Sequence, residues 1–151
     1  MNGNIRLATD ADFAGMHRLR MSVRENRLRD PQSVQLEDYR RIVADGGRGW
    51  VCEEQGHVIG FAVADFKRTN VWALFVDPAQ ERKGVGRRLH DTMMEWFFAS
   101  GASCVWLGTG TGTRAQGFYE AAGWRRIGTL PNGEACYELQ RDDWQQRIGH
   151  R

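Results

Sequence analysis

The spacing of apolar positions changes period repeatedly along the chain and divides it into alternating elements. "IRLAT" reads as a short first strand, and Thr9 with Asp12 three residues later forms a capping box that opens a helix through about Arg24. Ser33 is expected to cap a second helix ending at Asp45, where Gly46 and Gly47 stop it. Residues 48–55 ("RGWVCEEQ") and 58–66 ("VIGFAVADF") are apolar-rich strands joined at Gly56 as a hairpin. A strand over 70–76 ("NVWALFV"), a helix over 85–100, a strand over 103–109 ("SCVWLGT") and a helix over 113–122 ending at Gly123 follow. Two last strands, "WRRIGTL" and "ACYEL", flank Asn132-Gly133, a tight-turn pair. In the helix from Val85, the positions Val85, Leu89, Met93, Trp96 and Phe97 make one buried face, so Arg87, Arg88, Asp91 and Glu95 point elsewhere. Trp50, Trp72, Trp106 and Trp124 fall in strands and are expected to pack in the core.

This order predicts a mixed α/β (α+β) chain with a hairpin-rich front half and a βαβ-like back half. With 151 residues and no linker or repeat, it is expected to be a single domain, residues 1–151. An apolar share of 41%, a charged share of 26% and a mean hydropathy of −0.58 argue against disorder. No apolar run reaches membrane-span length, and "MNGNIRLATDADF" lacks the basic and apolar regions of a secretory signal, so a cytoplasmic location is expected. Cys52, Cys104 and Cys136 sit singly in apolar runs and read as buried thiols. His17, His57, His90 and His150 are scattered without a ligating spacing, so no metal is expected. A net charge of +2 is too small for a general nucleic-acid binder, and any anion preference must be local.

One stretch supplies such a preference. In "ALFVDPAQERKGVGRRLHD", residues 73–91, Gly84 and Gly86 sit at the helix start, where missing Cβ atoms let backbone amides approach a ligand and several N–H groups lack helical partners. With Arg82, Lys83, Arg87 and Arg88 beside them, the favoured anion is a phosphate or pyrophosphate. A solvated charged turn is the plainer alternative. A rival motif, "GTGTRA" at 110–115, satisfies the G-x-G-x-x-A dinucleotide fingerprint between a strand and a helix, but too little chain follows to complete a nucleotide-binding half.

Taken together, "FVDPAQERKGVGRRLHDTMMEW" and, some 25 residues later, "TRAQGFYEAAGW" resemble the GNAT family of N-acetyltransferases. The first stretch matches that family's pyrophosphate loop, [QR]-x-x-G-x-[GA]; the second matches its A-x-x-x-Y-x-x-x-G-[FW] helix. The resemblance covers residues 48–139, the cofactor-binding core, with 1–47 as the variable substrate-facing helical portion and 140–151 as a tail. It implies a GNAT-like, strongly bent central sheet of six to seven strands with helices on both faces, splayed between the strands at 70–76 and 103–109. It also implies acetyl-CoA as cosubstrate. The backbone of Leu74, Phe75 and Val76 would hold the pantetheine arm like an added strand, and the amides of Arg82, Lys83, Gly84, Val85, Gly86 and Arg87, with Arg88 nearby, would hold the pyrophosphate. Glu81 departs from the family's Gln or Arg and cannot donate to phosphate. Gly112 stands where many members carry a cofactor-touching Asn, a contact that Arg114 would replace.

Acetyl transfer from a thioester to an amine sets three tasks. The developing oxyanion needs a donor, and the resemblance assigns the backbone N–H of Val76. The departing sulfur, whose thiol has a pKa of about 8.5, gains from a proton donor, and Tyr119 matches the family's general acid. Without the motif, a Tyr on an apolar helix face reads as core. An ammonium of pKa about 10 must lose a proton before attacking, and Glu25, Asp65 and Glu134 are the candidate bases. Acidic residues at 25, 37, 38, 53 and 54 suit a cationic amine, whereas Arg20, Arg24, Arg27 and Arg29 neutralise them or suit an acidic acceptor. The acceptor stays open among polyamine, aminoglycoside-like compound, amino acid and protein N-terminus. A non-catalytic acyl-CoA sensor is the alternative function, and RNA binding through residues 18–29 is disfavoured. The expected partners are acetyl-CoA and an amine, with neither nucleic acid nor membrane; a homodimer is left open.

Overall fold

The computed structural model describes residues 3–23, 33–80 and 83–149. Seven strands form one open sheet: β1 (Asn4–Leu7), β2 (Arg48–Glu54), β3 (His57–Asp65), β4 (Asn70–Val76), β5 (Cys104–Thr109), β6 (Arg125–Thr129) and β7 (Ala135–Gln140), in the order β1-β2-β3-β4-β5-β7-β6. Neighbours run antiparallel except β4 and β5, which are parallel. The β2–β3 turn takes positive φ at both Gln55 (51°) and Gly56 (80°), the mirror-image turn whose twist matches that of paired strands. A register shift between Val63 and Ala64 leaves Trp72 as an extra residue on β4, a bulge that bends the strand.

Five helices cover both faces: α1 (Phe13–Ser22) and α2 (Leu36–Ala44) on one, α3 (Val85–Ala99), α4 (Arg114–Ala121) and α5 (Arg141–Gly149) on the other. On the first face Phe13, Met16, Leu19, Tyr39 and Ile42 pack against Val51, Phe61, Val63, Ala73 and Phe75. On the second, Val85, Leu89, Met93 and Phe97 meet Trp50, Ala62, Ala64 and Val71. Leu89 and Met93 are fully buried, and each contributes about 1.5–3 kcal/mol relative to an exposed side chain.

Elements begin where backbone donors find acceptors. The Asp12 carboxylate takes the Thr9 backbone N–H at 2.7 Å, so the Thr9 box opens a short 3₁₀ turn that runs into α1. The second helix is capped at Gln35, not Ser33: Asp38, three residues on, accepts the Gln35 N–H at 2.8 Å, whereas the residue three after Ser33 is Leu36, which cannot reciprocate. The stretch after β7 carries one more helix. Residues 141–149 form α5, pinned by the buried Trp144. Trp72 and Trp106 are only half-buried, unlike Trp50 and Trp124; the Trp106 indole N–H donates outward to the Arg68 carbonyl at 2.9 Å. Cys52 and Cys136 are buried and Cys104 is half-buried. Among the described residues no helix is long and apolar enough to cross a membrane.

Candidate active site

β4 and β5 begin together and then part. They share one paired position, Asn70 with Trp106, reinforced by the Trp106 N–H to the Thr69 carbonyl (3.0 Å) and the Asn70 side-chain amide to the Trp106 carbonyl (3.2 Å). From there to Val76 the ladder holds no β4–β5 pair, so the backbone of Leu74, Phe75 and Val76 faces a gap on that side. That gap is the floor of a groove of about 460 Å³.

The walls come from α3 and α4. Gly84 takes φ +80°, a left-handed value that costs a residue with Cβ, and caps α3. Among the described residues the first amide bonded back along the helix is that of Arg88, to the Gly84 carbonyl, so the N–H groups of Val85, Gly86 and Arg87 belong to the first turn, whose donors the helix itself does not satisfy. A Cβ on Gly86 would stand 3.4 Å from Val76 and 3.8 Å from Phe118, so glycine there keeps the end of the groove open. Gly84, Val85, Gly86 and Arg87 line this end, and Arg114 and Ala115 face it from α4. A helix N-terminus flanked by two guanidinium groups favours a polyanion.

Tyr119 and Phe118 line the groove from the next turn of α4. Tyr119 is 6% exposed, and burial pushes its phenol well above its ordinary pKa, so it holds its proton throughout the physiological range. Among the described residues no hydrogen-bond partner meets its hydroxyl. Its ring is held by packing against Phe118 (5.3 Å between centroids) and Trp124 (5.5 Å).

The other expected site residues are scattered more widely. Arg88 turns away to donate to the Gly3 carbonyl at 3.1 Å and is not among the lining residues. Lys83 donates to the Gln80 side chain at 3.1 Å. Asp65 stands beside Asn70 at the far end of β4, about 20 Å from Val76, which removes it from the groove. Glu134 immediately precedes β7, whose first residue, Ala135, pairs with Thr109 at the C-terminal end of β5. Glu25, Arg24, Arg27, Arg29, Glu81 and Arg82 lie outside the described residues. Three of the five acidic residues named for a cationic acceptor have partners of their own: Glu37 with Arg40 (3.3 Å), Asp38 with Arg41 (3.0 Å) and Glu53 with Arg6 (2.6 Å). Arg20 instead stacks on Trp72 and Phe75.

Residues not anticipated from the sequence brace the site. The Gln116 side chain accepts the Gly112 N–H (2.8 Å) and donates to the Tyr137 hydroxyl (2.9 Å), which donates to Glu120 (2.5 Å). The chain amide of Gly112 is thereby occupied. His90 is 1% exposed beneath α4. Its spacing to Met94 and Phe97, four and seven residues on, was the signal that it belongs to the buried face. Among the described residues no group of three or more His, Cys, Asp or Glu is arranged to hold a metal.

A family model described as the acetyltransferase (GNAT) family matches residues 13–124. The chain belongs to the GNAT family. A GNAT acetyltransferase from Staphylococcus aureus Mu50 superposes with a TM-score of 0.81 at 18% identity, over 91% of this chain and 98% of that one. A phosphinothricin acetyltransferase from Sinorhizobium meliloti, solved in complex with acetyl-CoA, gives 0.77 at 20% identity, over 93% and 89%. An acetyltransferase from Salmonella typhimurium with its cofactor acetyl-CoA gives 0.74 at 22% identity, over 93% and 94%. Among curated proteins none matches significantly. The GNAT assignment also disposes of the fingerprint at 110–115, since a sheet with a single parallel pair is not a doubly wound dinucleotide fold.

Proposed function

We propose that this protein is an acetyl-CoA-dependent N-acetyltransferase that transfers the acetyl group to an amine by direct attack within a ternary complex. The observation that carries this reading is the parting of β4 from β5 beside an amide-rich helix start, with the Tyr119 phenol in the same groove. Acetyl-CoA supplies an acyl thioester on an extended arm that ends in a pyrophosphate. The β4 segment Leu74–Val76, paired with β3 on one side and open toward β5 on the other, suits the arm, because an extended amide chain completes a strand edge. The first-turn amides of Val85, Gly86 and Arg87, with the side chains of Arg87 and Arg114, suit the pyrophosphate.

The Val76 N–H is the donor for the oxyanion developing on the carbonyl, and one such donor is worth about 3 kcal/mol. Tyr119 donates the proton that the departing thiolate requires. Burial keeps the phenol protonated at neutral pH, so a proton is present to be donated. The acceptor ammonium must lose a proton before it attacks, and the candidate bases are Glu134 and Glu25, the latter outside the described residues.

The test is release of free CoA thiol from acetyl-CoA across a library of amines. Turnover with at least one amine, with mass gain of one acetyl group, is expected. Tight acetyl-CoA binding without turnover on any amine would make the protein an acyl-CoA sensor instead.

A further inference from the structure

We propose that His90 is a positioning residue for Tyr119, acting through Trp124; the inference rests on the reading of Tyr119 as the proton donor. The Trp124 indole Nε1 donates to His90 Nε2 at 2.9 Å, and His90 Nδ1 lies 2.8 Å from Asp91 Oδ1. An indole nitrogen can only donate, so His90 Nε2 must be the unprotonated nitrogen. The ring proton therefore sits on Nδ1 and is given to the Asp91 carboxylate. One tautomer and one ring orientation satisfy both contacts.

Tyr119 needs this support because its hydroxyl is held by no hydrogen bond among the described residues. The direction of its phenol is set by what its ring and backbone touch. Trp124 touches both: its backbone N–H donates to the Tyr119 carbonyl at 3.0 Å, and its ring meets the phenol edge-on at 5.5 Å. The indole is itself free to tilt about its side-chain torsions unless its N–H is engaged, and His90 engages it. The His90 ring also packs edge-on against Phe118 at 5.7 Å and tilted against Tyr119 at 6.4 Å. An aliphatic residue at 90 would fill the volume but leave a buried indole N–H unpaired, a loss that falls on the residue beside the phenol.

The experiment compares His90→Leu, His90→Gln and His90→Asn, each in wild-type and Tyr119→Phe backgrounds. Glutamine sets a carbonyl oxygen near the place of Nε2 and can accept from Trp124; asparagine is too short to reach it. Single-turnover acetyl transfer and acetyl-CoA affinity are measured for every folded variant. The expected result is a rate lowered about fivefold to tenfold in His90→Leu and His90→Asn, largely restored in His90→Gln, with acetyl-CoA affinity changed less than about twofold. In the Tyr119→Phe background the same substitutions should slow transfer no further, because the group they aim is gone. A slow Tyr119→Phe enzyme that His90 substitutions slow again by the same factor overturns the inference and leaves the acid assignment standing. Full single-turnover rate in Tyr119→Phe alone overturns the acid assignment first, and this inference with it. If His90→Leu does not fold, the Gln and Asn pair carries the test, and equal rates in those two variants count against His90.

Discussion

Gly60 lies directly beneath Val85: a Cβ on Gly60 would stand 2.9 Å from Val85 Cγ1, 3.1 Å from Leu89 Cδ1 and 3.3 Å from the Phe75 carbonyl. The first turn of α3 thus rests closer to the sheet than any side chain permits, and this sets the height of its amides over Val76. Gly60→Ala should cost about 1–3 kcal/mol by overpacking. It should also weaken acetyl-CoA binding, because the Cβ lifts the helix start from β4. Chemical denaturation and calorimetry on the same sample check both effects.

Tyr119→Phe keeps the ring contacts with Phe118 and Trp124 and deletes only the hydroxyl. Stability and acetyl-CoA affinity should change little while single-turnover acetyl transfer falls by about 10²-fold. Because burial holds the phenol protonated far into the alkaline range, the mutant deficit should be the same at every pH below about 10.

The two arginines at the helix start should differ. Arg87 lines the groove, whereas Arg88 is engaged with Gly3. Arg87→Glu should weaken acetyl-CoA binding severalfold and flatten its dependence on ionic strength, since a charge-assisted phosphate contact is lost. Arg88→Glu should leave the salt dependence near that of wild type. Isothermal titration at low and high salt separates the two.

Acid stability should carry the mark of Asp12. Its carboxyl is pulled down to about 2 by hydrogen bonds from the Arg6 guanidinium at 2.8 and 2.9 Å, aided by the Thr9 N–H. A carboxyl depressed in the folded state stabilises above its unfolded pKa of about 3.9, and that contribution drains away as pH falls toward 2. Solvent near this pair keeps the effect modest. Thermal melts of Asp12→Asn should therefore lie below wild type at neutral pH, with the gap closing between about pH 4 and pH 2.

Strands and the helix from Val85 are legible because each has a period matched to a single buried face, as in "NVWALFV" and in Val85, Leu89 and Met93. The glycines at 84 and 86 announce a helix start without side chains in the way, and Tyr119 stands out only through its motif, since its place on an apolar helix face reads equally as core. What escaped notice was set by partners far along the chain. α5 carries one inward apolar residue, Trp144, so no period betrays it. The start of α2 turns on a carboxylate reaching back from Asp38, which overrides the stronger intrinsic capping preference of Ser33. The bond from Arg88 to the carbonyl of Gly3, 85 residues away, has no signal in the local sequence. The spacing of His90 to Met94 and Phe97 marks it as buried, but what fixes its ring, the Trp124 indole, lies 34 residues on.

The lone β4–β5 pair at Asn70 and Trp106 makes the sheet two ribbons, β1-β2-β3-β4 and β5-β7-β6, stitched at one point. Each ribbon is laddered within itself, and the seam between them relies on helix packing below and on whatever fills the gap above. A ligand lying in the seam is then a structural member of the protein, bonding to an edge that has no other mate. Its affinity for the native chain raises stability by mass action. The gain should be unevenly spread: amide exchange at Leu74–Val76 and Leu107–Thr109 should slow far more than at the β2–β3 hairpin, so that loading the enzyme also zips its two halves into one cooperative unit.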